Sequence, residues 1–206
     1  MKHKVSIYFA GSVQKGHEKA QSEWTNQDLQ ALQGLLPAYE IHLLNPSTRT
    51  DDLSDQKSVF GRDMTQIFIC DLLFVDIRHR RGLGVGAEMM WAKFHQKPVL
   101  ALAPLGIHYR PGKMQILDQM VENFVHPFVE NLSDHLVKDL RQGAAWIEKW
   151  MKGEVKTVKN LDSIHEAMRY YQETQFSLDD PMQEVIETCS HLDKRMKQIL
   201  TAPYLT

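Results

Sequence analysis

The hydrophobic positions in the first part of the chain alternate between strand and helix periods. Residues 4–10 are rich in β-forming side chains, and residues 17–36 then carry apolar side chains at helical spacing. Residues 40–44 predict a second strand, and the polar stretch 47–56 predicts a loop. This order predicts a strand, a helix and a second strand.

The alternation continues with more strongly apolar strands. Residues 58–70 have a helical pattern and lead into the run 72–77, which is apolar on both faces, as is typical of a parallel strand covered by helices. Residues 78–86 predict a basic, glycine-rich turn and residues 87–95 a helix. Residues 98–104 predict a further buried strand.

Strands that alternate with helices predict an α/β fold. We expect a doubly wound parallel sheet, flavodoxin-like or Rossmann-like, with flanking helices. In the strand order 2-1-3-4, the direction of winding reverses between the first and third strands, and ligands bind at such a switch point. The glycines that follow these two strands are therefore expected to face each other across one crevice.

In the segment after the fourth strand, the pattern predicts a loop and a helix but no strand. Residues 105–123 read as a loop, and residues 133–151 predict an amphipathic helix with Ser133 as its N-cap. Residues 153–160 predict a polar linker.

We therefore expect two domains. An α/β domain is predicted over residues 1–152 and a C-terminal helical extension over residues 153–206. The extension is expected to be a helical hairpin formed by residues 163–173 and 181–200.

Composition and charge exclude several classes of function. The 24 Lys and Arg residues against 26 Asp and Glu residues disfavour a nucleic acid as partner. The apolar runs are far shorter than the ~20 residues of a membrane span, and the N-terminus does not resemble a signal peptide. We expect a cytoplasmic chain with no membrane partner. Two cysteines and ten histidines show no metal-ligand spacing, so neither a metal nor a cofactor is predicted.

Glu88 is the first candidate for chemistry. It follows Gly82, Gly84 and Gly86 and is predicted in the first turn of a helix, where the macrodipole favours an ionised carboxylate. The glycines would let a ligand approach the backbone closely, so Glu88 is a candidate nucleophile or base. The same pattern is also typical of a tight strand-to-helix turn with a solvated glutamate.

Four other residues are candidates, each with a structural alternative. Asp63 lies in the helix before the third strand, as a surface charge or a buried acid, and Asp76 near the end of that strand could point into the crevice. Tyr8 ends the first strand, where its hydroxyl could reach a ligand, although a strand tyrosine more often packs in the core. Arg81 belongs to a basic run that could meet a phosphate or form a solvated loop.

Three ordered blocks resemble the nucleoside 2-deoxyribosyltransferase superfamily, which includes deoxyribonucleoside 5′-monophosphate N-glycosidases. The blocks are Ile-Tyr-Phe-Ala-Gly-Ser at residues 7–12, Arg-Asp-Met at 62–64 running into Cys-Asp-Leu-Leu-Phe-Val-Asp at 70–76, and Gly-Val-Gly-Ala-Glu at 84–88 followed by Lys-Pro-Val-Leu at 97–100. The match covers roughly residues 5–104. It implies cleavage or transfer at the N-glycosidic bond of 2′-deoxynucleosides or their 5′-monophosphates.

The resemblance also implies a role for individual residues. Glu88 would attack the anomeric carbon and form a covalent glycosyl ester, and Asp63 would assist departure of the base. Tyr8 would orient the nucleophile. Gly11 and Ser12 would lie against the sugar or phosphate.

Several questions stay open at this point. Binding of a substrate phosphate would depend on Lys15 or on the turn that contains Arg81. Hydrolysis and base transfer share the same first step, so the sequence does not distinguish these two reactions. The resemblance implies a site completed by a neighbouring subunit, hence a homodimer or larger homo-oligomer. The rival hypothesis is a non-catalytic nucleotide-binding or sensor module that uses the same crevice. A third is an inert scaffold whose C-terminal helices drive assembly.

Overall fold

The computed structural model describes residues 2–11 and 24–201. Within these residues the strands are β1 (His3–Ala10), β2 (Tyr39–Leu44), β3 (Leu72–Asp76), β4 (Val99–Leu102), β5 (Gly112–Ile116), β6 (Gln119–Phe124) and β7 (His135–Val137). The helices are α1 (Asn26–Leu35), α2 (Gln56–Ile69), α3 (Leu83–Phe94), α4 (Pro127–Leu132), α5 (Leu140–Met151), α6 (Leu161–Thr174), α7 (Asp180–Thr188) and α8 (Ser190–Thr201).

The main sheet has five parallel strands in the order β2-β1-β3-β4-β7. This confirms the doubly wound α/β fold, and the first four strands have the order 2-1-3-4 that the expected crevice requires, to which β7 adds an edge strand. Because β1 lies between β2 and β3, the winding reverses there, and the carboxyl ends of β1 and β3 border the switch point. All five residues of β3 are buried, as expected for a strand covered on both faces.

The two faces of the sheet are covered by different helices. Ile7 and Phe9 point from β1 into the main core, which also contains Leu32 of α1 and Ile147 of α5. Since successive side chains of a strand point to opposite faces, Tyr8 faces away from this core. On that second side α2 and α3 are joined by a hydrogen bond from the indole of Trp91 to the carbonyl of Met64, at 3.1 Å.

The segment predicted as a loop over residues 105–123 contains an antiparallel hairpin of β5 and β6. The loop prediction was wrong because the hairpin lacks the glycine turn that usually identifies one. Its turn instead places Leu117 in the left-handed region, at a φ of 51°.

The predicted helix over residues 133–151 was also wrong in its first part. Ser133 ends α4 as its C-cap, and the strand β7 follows before α5 begins. The N-cap of α5 is Asp139, whose carboxylate accepts a hydrogen bond from the amide of Gln142 at 2.9 Å. A strand of only three residues has too short a pattern to be distinguished from a helix end.

By internal contacts the chain forms two compact units, Met1–Lys159 and Asn160–Thr206. The second unit contains α6, a short 3-10 turn at Phe176–Leu178, α7 and α8. The single helix predicted over residues 181–200 is divided at Cys189, which has an extended backbone. The division predicted after residue 152 stays a prediction. In the described part of the chain, no helix is both long and apolar enough to cross a membrane.

Candidate functional site

Tyr8 and Glu88 form a buried pair at the carboxyl end of β1. The phenol of Tyr8 donates a hydrogen bond to Oε1 of Glu88 at 2.9 Å. Tyr8 has no exposed surface and Glu88 retains 8 %. The second oxygen, Oε2, is buried and has no hydrogen-bond partner among the described residues. One carboxylate oxygen is therefore held by Tyr8, and the other has no hydrogen-bond partner among the described residues.

The helix that carries Glu88 begins earlier than predicted. α3 starts at Leu83 with Gly82 as its N-cap, so Gly84 and Gly86 are helical and Glu88 lies in the second turn. The predicted position in the first turn was wrong, because packing overrides the low helix propensity of glycine. The macrodipole acts mainly on the first turn, so it is not what sets the charge of Glu88.

Burial controls the ionisation of this pair. Loss of water around Glu88 raises its pKa to about 7, while the hydrogen bond from Tyr8 opposes the shift and the charge of Asp63 adds to it. Burial, together with the neighbouring Glu88 carboxylate, also raises the pKa of Tyr8. Tyr8 is therefore a neutral donor, and the protonation of Glu88 changes near neutral pH.

Asp63 lies on α2, close enough for its charge to act on both Tyr8 and Glu88. Its side chain is 19 % exposed, and Oδ1 lies 3.4 Å from Nη1 of Arg49 and 3.6 Å from Nη1 of Arg62. Burial raises the pKa of Asp63, and the charges of the two arginines oppose that rise. The structure thus brings Tyr8, Glu88 and Asp63 together.

Arg49 is a residue of this site that the sequence did not reveal. Its side chain is only 6 % exposed, and its Nε donates to Oδ1 of Asp51 at 2.8 Å while Nη1 reaches Asp63. Arg49 lies in the polar stretch predicted as a loop. Its closeness to Asp51 in the sequence could have indicated an ion pair within the loop. Its contact with Asp63, however, depends on how the loop packs against α2.

A buried ion pair anchors α3 at the other end. Lys93 is fully buried and pairs with Asp134, which precedes β7. The same carboxylate accepts hydrogen bonds from the amides of Val99 and Lys159, both at 2.6 Å. Since each charge has a partner, the pair holds α3 against the starts of β4 and β7. Glu88 lies on the same helix, so this contact helps to position it beside β1.

Asp76 and Arg81, both predicted to bind substrate, bind each other. Asp76 is 1 % exposed, and its Oδ2 lies 2.8 Å from Nη2 of Arg81. Arg78 adds a second ion pair to Asp76, at 3.0 Å from Nε to Oδ1. Asp76 and Arg81 are thus paired with each other, and the amide of Arg81 also donates to the phenol of Tyr109 at 2.8 Å. Their roles toward a substrate stay predictions.

The glycines predicted to border the ligand differ in their surroundings. A Cβ on Gly11 would come within 3.3 Å of the Trp24 ring, so this position requires a small residue. A Cβ on Gly82, Gly84 or Gly86 would meet no described atom within 4 Å, so their backbone is open to a ligand. Ser12 and Lys15, predicted to contact the sugar or a phosphate, lie outside the described residues.

Among the described residues, no group of three or more His, Cys, Asp or Glu side chains is placed to hold a metal ion. The described side chains of the site are those of Tyr8, the carboxylates Glu88 and Asp63, and the arginines Arg49 and Arg62. Such a set can hold a carboxylate against an electrophilic carbon and supply a proton nearby.

Solved structures are similar to this chain, among them the three that follow, whereas no family model and no curated protein matches it. The 2-deoxyribosyltransferase of Bacillus psychrosaccharolyticus is 15 % identical, with a TM-score of 0.42 over 68 % of this chain and 90 % of that chain. The Clostridium botulinum CMP N-glycosidase BcmB is 16 % identical, with a TM-score of 0.39 over 69 % and 98 %. The 2-desoxiribosyltransferase of Leishmania mexicana is 14 % identical, with a TM-score of 0.41 over 83 % and 99 %. Such low similarity does not transfer a reaction, so the function is argued from the side chains of this chain.

Proposed function

We propose that this protein is an enzyme that breaks the N-glycosidic bond of a 2′-deoxynucleoside or its 5′-monophosphate through a covalent glycosyl ester on Glu88. The observation that carries the proposal is the buried carboxylate of Glu88, with Oε1 bonded to Tyr8 and Oε2 without a partner among the described residues. A carboxylate held in this way is suited to capture a carbon with oxocarbenium character.

The neutral phenol of Tyr8 supports this role. It holds Oε1 in one orientation, and its hydrogen bond stabilises the charged form of Glu88 against the cost of burial. The carboxylate is therefore ionised above a pH of about 7. A desolvated carboxylate is also more reactive toward a positively charged carbon than a solvated one.

Asp63 supports the second role, that of the acid. A carboxyl group that donates a proton to a leaving base needs a raised pKa, and burial raises that of Asp63. In the proposed first step, Oε2 of Glu88 bonds to C1′, the C1′–N bond breaks, and its electrons go to the base nitrogen, which takes the proton of Asp63. In the second step, water or a second base attacks C1′ and gives its proton to the carboxylate of Asp63, and Glu88 leaves as a carboxylate.

The proposed function is tested by following free base chromatographically after incubation with each deoxynucleoside and deoxynucleotide. Wild-type protein is expected to release base, and Glu88→Gln to release none above the uncatalysed rate. Glu154→Gln, an exposed carboxylate on the same unit, serves as the control. Adding a second base in excess separates transfer, which yields a new nucleoside, from hydrolysis, which yields free sugar.

The same experiment, combined with a binding measurement, distinguishes the enzyme from a non-catalytic nucleotide-binding module. Calorimetric binding of a deoxynucleotide without any release of base would identify a nucleotide-binding module and reject the enzyme. A homodimer or larger homo-oligomer and a cytoplasmic location remain predictions.

A further inference from the structure

A cavity of about 710 Å³ lies beside α5, the helix that packs on the face of the sheet opposite to Tyr8. It is bordered by the residues that follow β4 and β7 and by the outer side of α5. Because α5 packs on the face that Ile7 and Phe9 cover, this cavity is separate from the Tyr8 and Glu88 pair. Its volume is within the range of roughly 300 to 1,000 Å³ that small-molecule sites occupy.

The cavity carries an excess of positive charge. Arg110, Lys138 and Lys149 line it, and Asp139 is the only carboxylate among the described lining residues. The carboxylate of Asp139 is used as the N-cap of α5, where it accepts from the amide of Gln142. The ion pairs found within residues 2–11 and 24–201 include none with the three basic side chains. In a chain whose net charge is −2, this local excess favours an anion.

One of these cations is already positioned. Nη1 of Arg110 donates to the carbonyl of Ala103 at 3.0 Å, which fixes the guanidinium next to the end of β4. A fixed planar guanidinium can donate two parallel hydrogen bonds to a phosphate, and the more flexible lysines can close on it from the other side.

The same cavity has an aromatic wall. The rings of His135 and Trp146 are nearly parallel, with an angle of 9° between planes and 6.3 Å between centroids. Trp146 is half-buried, and its inner part packs against the main core, so its ring is held in place. Fixed aromatic rings at the side of a basic cavity are suited to stack on a nucleobase.

We propose that this cavity is a second ligand site that binds a nucleoside phosphate, with the phosphate on Arg110, Lys138 and Lys149 and the base against Trp146. The site does not depend on the chemistry of Glu88. Binding here would let a nucleotide contact the chain without entering the proposed reaction site.

The experiment is isothermal titration calorimetry of the full chain with adenosine 5′-monophosphate, adenosine and inorganic phosphate. The monophosphate is expected to bind, and adenosine and phosphate to bind at least about tenfold more weakly, because each lacks half of the contacts. Phosphate binding as tightly as the nucleotide would overturn the proposal, since it would identify a simple anion site. Absence of nucleotide binding at millimolar concentration would also overturn it.

Variants assign the binding to the cavity. Lys138→Gln and Lys149→Gln are exposed changes that are not expected to affect folding, and each is expected to weaken nucleotide binding about tenfold. Trp146→Leu is expected to weaken the binding of the nucleotide while leaving the affinity for phosphate unchanged. Lys4→Gln, an exposed lysine at the start of β1, is the matched control and is expected to have no effect.

Two results place the binding elsewhere and overturn the proposal. One is unchanged nucleotide affinity in Lys138→Gln and Lys149→Gln. The other is loss of affinity in Tyr8→Phe alone. Because base release is measured separately, the proposed reaction can fail while this site is confirmed, and the reverse also holds.

Discussion

Tyr8 and Glu88 are 80 positions apart in the chain, yet the phenol of one lies 2.9 Å from the carboxylate of the other. The bond joins the interior strand β1 to α3. It also opposes the effect of burial on Glu88. Burial favours the protonated carboxyl group, whereas the hydrogen bond from the phenol favours the carboxylate.

Tyr8→Phe is expected to raise the pKa of Glu88 further, because it removes the hydrogen bond that stabilises the charged form. The acidic limb of the profile of kcat/KM against pH, expected near pH 7 in the wild type, should move to higher pH. At pH 7 the rate of base release should fall about tenfold or more. Tyr39→Phe, on the neighbouring strand β2, is the control, and an unmoved limb in Tyr8→Phe would contradict the assigned role.

Glu88 is expected to lower the stability of the fold at alkaline pH. Its folded pKa of about 7 exceeds the ordinary value of 4.5, so its favourable contribution is complete at pH values below 4.5 and is lost as the pH rises through 7. A shift of this size corresponds to at most about 3 kcal/mol.

Urea unfolding at pH 5 and pH 8 measures this effect. The free energy of unfolding of the wild type should fall between the two pH values by more than that of Glu88→Gln. Glu154→Gln, an exposed carboxylate, should behave as the wild type does. Equal pH dependence of the wild type and Glu88→Gln would show that Glu88 is not buried in this way.

Arg49→Met is expected to raise the pKa of Asp63, because the guanidinium charge lowers it. If Asp63 is the acid, the alkaline limb of the kcat/KM profile should move to higher pH. Loss of the contacts to Asp51 and Asp63 should also reduce the free energy of unfolding by about 1 to 3 kcal/mol.

Arg49→Lys separates charge from geometry. It keeps the positive charge but loses the paired hydrogen bonds to Asp51. The alkaline limb should therefore stay close to that of the wild type while kcat falls. A limb that moves equally in both variants would show that the geometry of Arg49, and not its charge, controls the pKa of Asp63.

Gly143→Ala is expected to destabilise the α/β unit. A Cβ at this position of α5 would lie 2.8 Å from Cζ of Phe74, a buried ring of β3. Relief of this overlap must move the helix or the ring, which should cost about 1 to 3 kcal/mol in thermal or urea unfolding. Gly34→Ala on α1 is the control: a Cβ there meets no described atom within 4 Å, so its stability should be unchanged or higher.

The sequence by itself determined the order of the first four strands and the helices between them. The apolar run of β3 and the repeated strand and helix periods depend on local pattern, and local pattern is what a sequence carries directly. Glu88 and Tyr8 were also selected as candidates in this way, because each lies near the end of a predicted element or motif, whereas Asp63, in the middle of a predicted helix, took its role from the family resemblance.

Tertiary structure decided what those candidates contact. The bond between Tyr8 and Glu88, and the ion pairs of Asp63 with Arg49 and Arg62, join residues from β1, α2, α3 and a loop. Likewise, Asp76 and Arg81 bind each other, the hairpin of β5 and β6 forms without a glycine turn, and α3 begins at Leu83, earlier than the predicted start at residue 87. These features depend on burial and on contacts between distant segments, and both exist only once the chain is packed.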